Sequence, residues 1–128
     1  GCGSGILAIA TVLLGASCAV AVDHDIQALQ ATHYNAERNG IAKDRLISCL
    51  PHQLPQQQVQ TILANILAEP LIKLASTLAE HMVANGFLVL SGILDHQADT
   101  VISAYQLWFR GFKVSQRAEW VRIEAYKI

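Results

Sequence analysis

The chain has 128 residues, enough for one domain, and 52% of them are hydrophobic, enough to bury a core. A formal net charge of −1 excludes a strong electrostatic draw toward nucleic acid, so no direct nucleic-acid partner is expected. Cys2, Cys18 and Cys49 are odd in number and scattered, which excludes a disulfide framework and a metal-ligand spacing and fits a reducing cytoplasm.

The chain opens on Gly1-Cys2-Gly3-Ser4-Gly5, a glycine-rich turn. Ser4 is placed to cap a helix over about 5–14 that stops at Gly15. Residues 18–22 read as a strand with Asp23 at its end. The stretch 5–22 carries no charge and approaches the length of a membrane span, and Ala19-Val20-Ala21 resembles a signal-peptidase site. No basic segment precedes it, however, and Gly15-Ala16-Ser17 divides it into a helix-length and a strand-length piece. A buried helix followed by a buried parallel strand also reads as continuous apolar sequence, so no membrane partner is expected.

Asp25 caps a second helix running to about residue 38, and Asn39-Gly40 ends it. Leu46-Ile47-Ser48-Cys49-Leu50 is a short strand, and Pro51 to Gln58 is a loop without regular structure. Thr61-Ile62-Leu63-Ala64 is the next strand and ends at Asn65. A helix follows Pro70 to about Val83, with Leu71, Leu74, Ala75, Leu78, Ala79 and Met82 on one face. Asn85-Gly86 turns into the apolar strand Phe87-Leu88-Val89-Leu90-Ser91, and Asp95 caps a helix over about 96–109. Lys113 to Gln116 and Trp120 to Tyr126 close the chain as two strands, the second alternating Val121, Ile123 and Ala125 with Arg122, Glu124 and Tyr126. Arg110, Lys113, Arg117, Arg122 and Lys127 make this end basic, which reads as a solvated surface. The five histidines form no ligand pair with each other or with a cysteine, so no metal is assigned. Strands alternating with helices imply a parallel sheet with helices on both faces, closed by an antiparallel pair.

The glycine loop and Asp23 carry the chemistry. Glycines let backbone approach a ligand where a Cβ would collide, and a carboxylate at a strand end can accept hydrogen bonds from both hydroxyls of a ribose. The dinucleotide fingerprint needs glycines at the first, third and sixth positions. Here they stand at Gly1, Gly3 and Gly5, with Ile6 at the sixth. The first-third-fifth spacing is that of class I S-adenosylmethionine-dependent methyltransferases. A dinucleotide oxidoreductase is thereby the weakest option.

Five segments in order sharpen this. Gly1 to Ala10, Gln27-Ala28-Leu29 with Asn35-Ala36-Glu37-Arg38-Asn39-Gly40, Ala64-Asn65-Ile66-Leu67-Ala68-Glu69-Pro70-Leu71, Leu90-Ser91-Gly92-Ile93-Leu94, and Glu119-Trp120-Val121-Arg122 together resemble the ribosomal protein L-eleven methyltransferases, the PrmA family. The resemblance runs the length of the chain and treats 1–128 as one methyltransferase domain. It implies an α/β, Rossmann-like three-layer sandwich, with a mostly parallel sheet and an antiparallel C-terminal strand. In the family a strand, a threonine contact and a substrate-recognition domain come before the glycine loop. The first strand is therefore expected to be missing and the chain to be a fragment.

The resemblance also implies site residues. Gly1, Cys2, Gly3 and Gly5 form the S-adenosylmethionine loop, with the Cys2 thiol as packing. Asp23 holds the ribose hydroxyls. Asn65 stands beside the transferred methyl and orients the amine or the cofactor, while no other catalytic residue is assigned. The implied reaction is N-methylation of lysine and N-terminal amines on a large-subunit ribosomal protein in the cytoplasm, without a metal. The sequence departs from the family pattern at His24, Ile26, Gln60 and Ala84-Asn85-Gly86, none of which removes Asp23. Two further readings stay open: a class I methyltransferase with another substrate, and a non-catalytic fragment.

Overall fold

The computed structural model describes every residue, Gly1–Ile128. The chain divides into two compact units, Gly1–Pro55 and Gln56–Ile128.

The first unit runs α1 (Ile6–Leu13), β1 (Ala19–Val22), α2 (Ile26–Arg38) and β2 (Leu46–Cys49). β1 and β2 pair in parallel from Ala19↔Leu46 to Val22↔Cys49. Parallel neighbours need a crossover, and α2 supplies it. Asp25 caps α2 as the sequence predicts, its Oδ1 accepting from the Gln27 N–H at 2.9 Å. The other end closes with a Schellman pattern: Gly40 sits at φ 69°, its N–H donates to Glu37 O, and the Ile41 N–H donates to Ala36 O. Ile41 then joins Ile9, Val12, Ala21, Ala36 and Leu46 in the unit's core.

The expected Ser4 cap of α1 is not made. Gly5 is the residue that leads into the helix, at φ 85°, and no side chain caps it. The left-handed backbone at Gly5 sets the helix entry instead. Past β2, the loop expected to be irregular begins with a 3-10 turn at Pro51–Gln53. Gln53 Oε1 fastens that turn by accepting from the Leu50 N–H at 3.0 Å.

The second unit contains β3 (Val59–Asn65), α3 (Ala68–Glu80), β4 (Met82–Leu94), α4 (Ala98–Tyr105), β5 (Phe109–Arg117) and β6 (Trp120–Lys127). Its sheet has the order β3-β4-β6-β5. β3 and β4 are parallel, whereas β6 runs antiparallel to β4 and to β5. The expected mixed sheet is thus realised as two hydrogen-bonded sheets, one in each unit, with the antiparallel part spread over two strand pairs.

Leu71, Ala75 and Ala79 of α3 and Val101 and Tyr105 of α4 pack into one core with Leu88, Leu90, Ile123 and Ala125. The alternation along β6 is as expected, with Val121, Ile123 and Ala125 buried. Pro70 lies inside the first turn of α3 rather than before it. There its missing N–H costs nothing, because the first helical N–H groups have no intrahelical acceptor. α4 is shorter than the predicted 96–109 helix. Asp95 does not cap it; its Oδ1 accepts from the His96 N–H within a 3-10 turn at Asp95–Gln97. Phe109 and Arg110 are drawn into the sheet opposite Lys127 and Tyr126, which ends the helix early. No helix is long and apolar enough to cross a membrane.

Candidate functional site

In the first unit, residues 1–5 run beside the carboxyl end of β1. The Cys2 N–H donates to Val22 O at 2.9 Å, and the Gly5 N–H folds back to Cys2 O at 2.9 Å. Gly3 (φ 55°) and Gly5 (φ 85°) both adopt the left-handed conformation that makes this tight turn possible. A Cβ at Gly3 would meet nothing within 4 Å, so the loop is open on that side. At Gly5 a Cβ would lie 2.8 Å from Thr32 Cγ2 and 3.0 Å from its Cα. Gly3 therefore leaves room for a ligand to approach backbone, and Gly5 lets the loop press onto α2.

Asp23 follows β1 and is 7% exposed. Its Oδ2 accepts from the Gly3 N–H at 3.1 Å and its Oδ1 from the Asp25 N–H at 3.0 Å. Burial by itself pushes its pKa up, but these two N–H groups, with His24, outweigh burial, and the net shift is below the ordinary 3.8. The carboxylate is charged at neutral pH, and each oxygen keeps a lone pair beyond its single backbone bond.

Two residues absent from the sequence-based site complete this geometry. Thr32, fully buried on α2, donates from Oγ1 to Gly3 O at 3.2 Å. Asn35, one turn further along, donates from Nδ2 to Ser4 O at 2.9 Å. Cys2 Sγ lies 3.3 Å from Thr32 Oγ1, within hydrogen-bond distance. Cys49, on β2, is buried, and burial pushes its thiol pKa up, so it is not a poised nucleophile. The only sequence signal for Thr32 was a hydroxyl on the helix face that carries Ala36 inward.

Of the predicted site residues, Gly1, Cys2, Gly3, Gly5 and Asp23 come together in the first unit. The Gly1 nitrogen donates to Val22 O at 2.6 Å. Asn65 belongs to the second unit, as the last residue of β3, in register with Ser91 of β4. It is exposed, and its carboxamide makes no hydrogen bond within the chain. Its neighbour Gly92 lies where the β4–β6 register shifts between Leu90 and Ile93 and sits at φ 81°. A Cβ there would fall 2.5 Å from Ile66 O and 2.9 Å from Asn65 Oδ1. Only glycine fits beside Asn65. An isolated glycine within a strand is the signal of a bulge or a close approach, and here it marks both. No group of three or more His, Cys, Asp or Glu side chains gathers into a metal-binding cluster.

Comparison with known proteins gives a consistent picture. The sequence profile described as ribosomal protein L11 methyltransferase (PrmA) matches residues 1–127. A protein of Marinobacter nauticus named ribosomal protein L11 methyltransferase is 51% identical over 123 residues, covering 96% of this chain and 41% of the relative. The chain thus spans about two-fifths of the length of such curated relatives. The crystal structure of a ribosomal protein L11 methylase from Lactobacillus delbrueckii subsp. bulgaricus superposes with a TM-score of 0.90 at 30% identity, covering 99% of this chain and 67% of that one. An RNA methyltransferase of Salinibacter ruber, solved in complex with S-adenosyl-L-homocysteine, shares the fold at a TM-score of 0.74 and 13% identity, covering 99% of this chain and 76% of that one.

Proposed function

The chain belongs to the ribosomal protein L11 methyltransferase (PrmA) family, and from that premise we propose that it is the S-adenosylmethionine-binding part of a protein N-methyltransferase. The substrates of this reading are lysine and N-terminal amines of a large-subunit ribosomal protein. Its fold is that of class I methyltransferases.

The observation that carries the reading is the tie between Asp23 and the glycine loop. One carboxylate fixes the Gly3 N–H and keeps lone pairs for two ribose hydroxyls. The open side of Gly3 fits a ligand laid against backbone. Gly1, Cys2, Gly3 and Gly5 supply the loop surface, and the role given to Asn65 rests on the family. When bound, the cofactor supplies a sulfonium methyl: a nitrogen–carbon bond forms to a neutral amine, the sulfur–carbon bond breaks to leave a thioether, and the amine's surplus proton passes to solvent. In this reading Asn65 orients the amine or the cofactor, and alignment of nitrogen with methyl provides much of the rate.

Calorimetric titration with S-adenosylhomocysteine, with NAD as the control ligand, tests the reading in the intact protein. Saturable binding of the first ligand alone is expected. Asp23→Ala should weaken it by roughly 10- to 100-fold, since hydrogen bonds to a charged group are lost. Equal binding by Asp23→Ala would remove the ribose role. Transfer of labelled methyl from S-adenosylmethionine to ribosomal protein, followed by peptide mapping, then tests the substrate.

A further inference from the structure

We propose that α2 sets the shape of the cofactor loop through Thr32 and Asn35, which act as positioning residues for binding. This inference rests on the cofactor reading above and extends it to residues outside the loop and Asp23. Two consecutive loop carbonyls, Gly3 O and Ser4 O, each accept a side-chain hydrogen bond from α2, at 3.2 and 2.9 Å. The donors are three residues apart and so lie on one face of the helix.

The two peptides that meet at Gly3 are thereby held one on each side. Asp23 takes the N–H of Gly3 and Thr32 donates to its C=O. Rotation of the Cys2–Gly3 peptide would break the bond to Asp23, and rotation of the Gly3–Ser4 peptide would break the bond from Thr32. Contact at Gly5 works in the same sense, because only a residue without a Cβ lets the loop close onto Thr32. Thr32 is fully buried, so apart from Cys2 Sγ at 3.3 Å its hydroxyl has no partner to replace Gly3 O. Losing that bond leaves the carbonyl free to turn while the helix itself keeps its packing.

The two residues touch loop backbone rather than reacting atoms, so their removal should lower affinity and spare turnover. Thr32→Val keeps the shape and removes the hydroxyl, and Asn35→Ala removes the second donor. In the intact protein, Thr32→Val should weaken S-adenosylhomocysteine binding by roughly 3- to 30-fold, and Asn35→Ala, whose bond is exposed, by roughly 2- to 5-fold. The KM for S-adenosylmethionine should rise in step, with kcat at saturation nearly unchanged. Thr32→Ser should restore wild-type affinity. Gly40→Ala is the control: it strains the end of α2 at φ 69° without touching the loop, and should lower the thermal midpoint with affinity intact.

Should Thr32→Val fail to fold, Asn35→Ala and Thr32→Ser carry the test. Wild-type affinity in both Thr32→Val and Asn35→Ala would overturn the inference while leaving the cofactor reading in place. So would an equal loss of affinity in Gly40→Ala, which would make the effect one of general stability. Failure of the wild-type protein to bind would overturn both readings together.

Discussion

Asp23 is a buried carboxylate kept ionised by two backbone N–H groups, and that arrangement has a consequence for stability. Its folded pKa lies below the ordinary 3.8. A carboxyl depressed on folding contributes stability that is fully present above its unfolded value and is lost as pH falls through the folded one. The urea midpoint should therefore decline as pH drops below about 4, and Asp23→Asn should flatten the decline over that window. The difference between the two pH profiles isolates this group from the other carboxylates. Superimposable profiles would show that the backbone bonds do not hold the charge. Asp23 and the glycines could be read from sequence because their spacing is local and chemically distinctive. Thr32 and Asn35 could not, because their partners are 29 and 31 residues away and a threonine or asparagine within a helix has no distinctive pattern. Gly92 gave a weaker signal, a glycine inside an apolar strand, which indicates a close approach but not to which residue.

Local rules placed both ends of α2 but misassigned the caps of α1 and α4, and tertiary pairing moved the end of α4. The Asp25 cap and the Asn39-Gly40 end of α2 follow from short-range hydrogen bonding, and both stand. The predicted end of α4 was too late because Phe109 and Arg110 pair with β6, a contact no local pattern contains. Tyr105, at the observed end of α4, shows what fixes that helix. Its hydroxyl donates to Leu71 O of α3 at 2.7 Å within the core, and burial raises its pKa far above the usual tyrosine range. Tyr105→Phe leaves the ring packing and removes the bond, so it should cost about 1–2 kcal/mol of unfolding free energy. Urea denaturation with an unchanged m-value would read that cost as a change in stability alone. A loss near zero would mean that packing, and not the hydroxyl, seats α4.

At the scale of the whole molecule, the sequence shows which residues form strands but not how the strands share hydrogen bonds. Period-two alternation predicted the buried face of β6, and apolar runs predicted β1 and β4, yet the division into two sheets depends on pairing between distant segments. The two units differ in what holds each of them. In the first, four-residue strands form a two-stranded sheet over a core of six buried residues. In the second, four strands enclose a core of fifteen. Two-stranded sheets are marginal unless packing supports them, and local opening follows the density of buried apolar contacts. Native-state hydrogen exchange on this chain should find its slowest amides at Leu88, Leu90 and Ile123, the fully buried positions where β4 pairs with β6. The amides of Ala21 and Val22 in β1 should exchange at least about tenfold faster. In the reading proposed above, most of the ligand's contacts fall on Asp23 and the glycine loop of the first unit, so saturating S-adenosylhomocysteine should slow the β1 amides more than those of β4. Equal slowing in both strands would show that opening is a single global event, and protection confined to β4 would move the ligand away from Asp23.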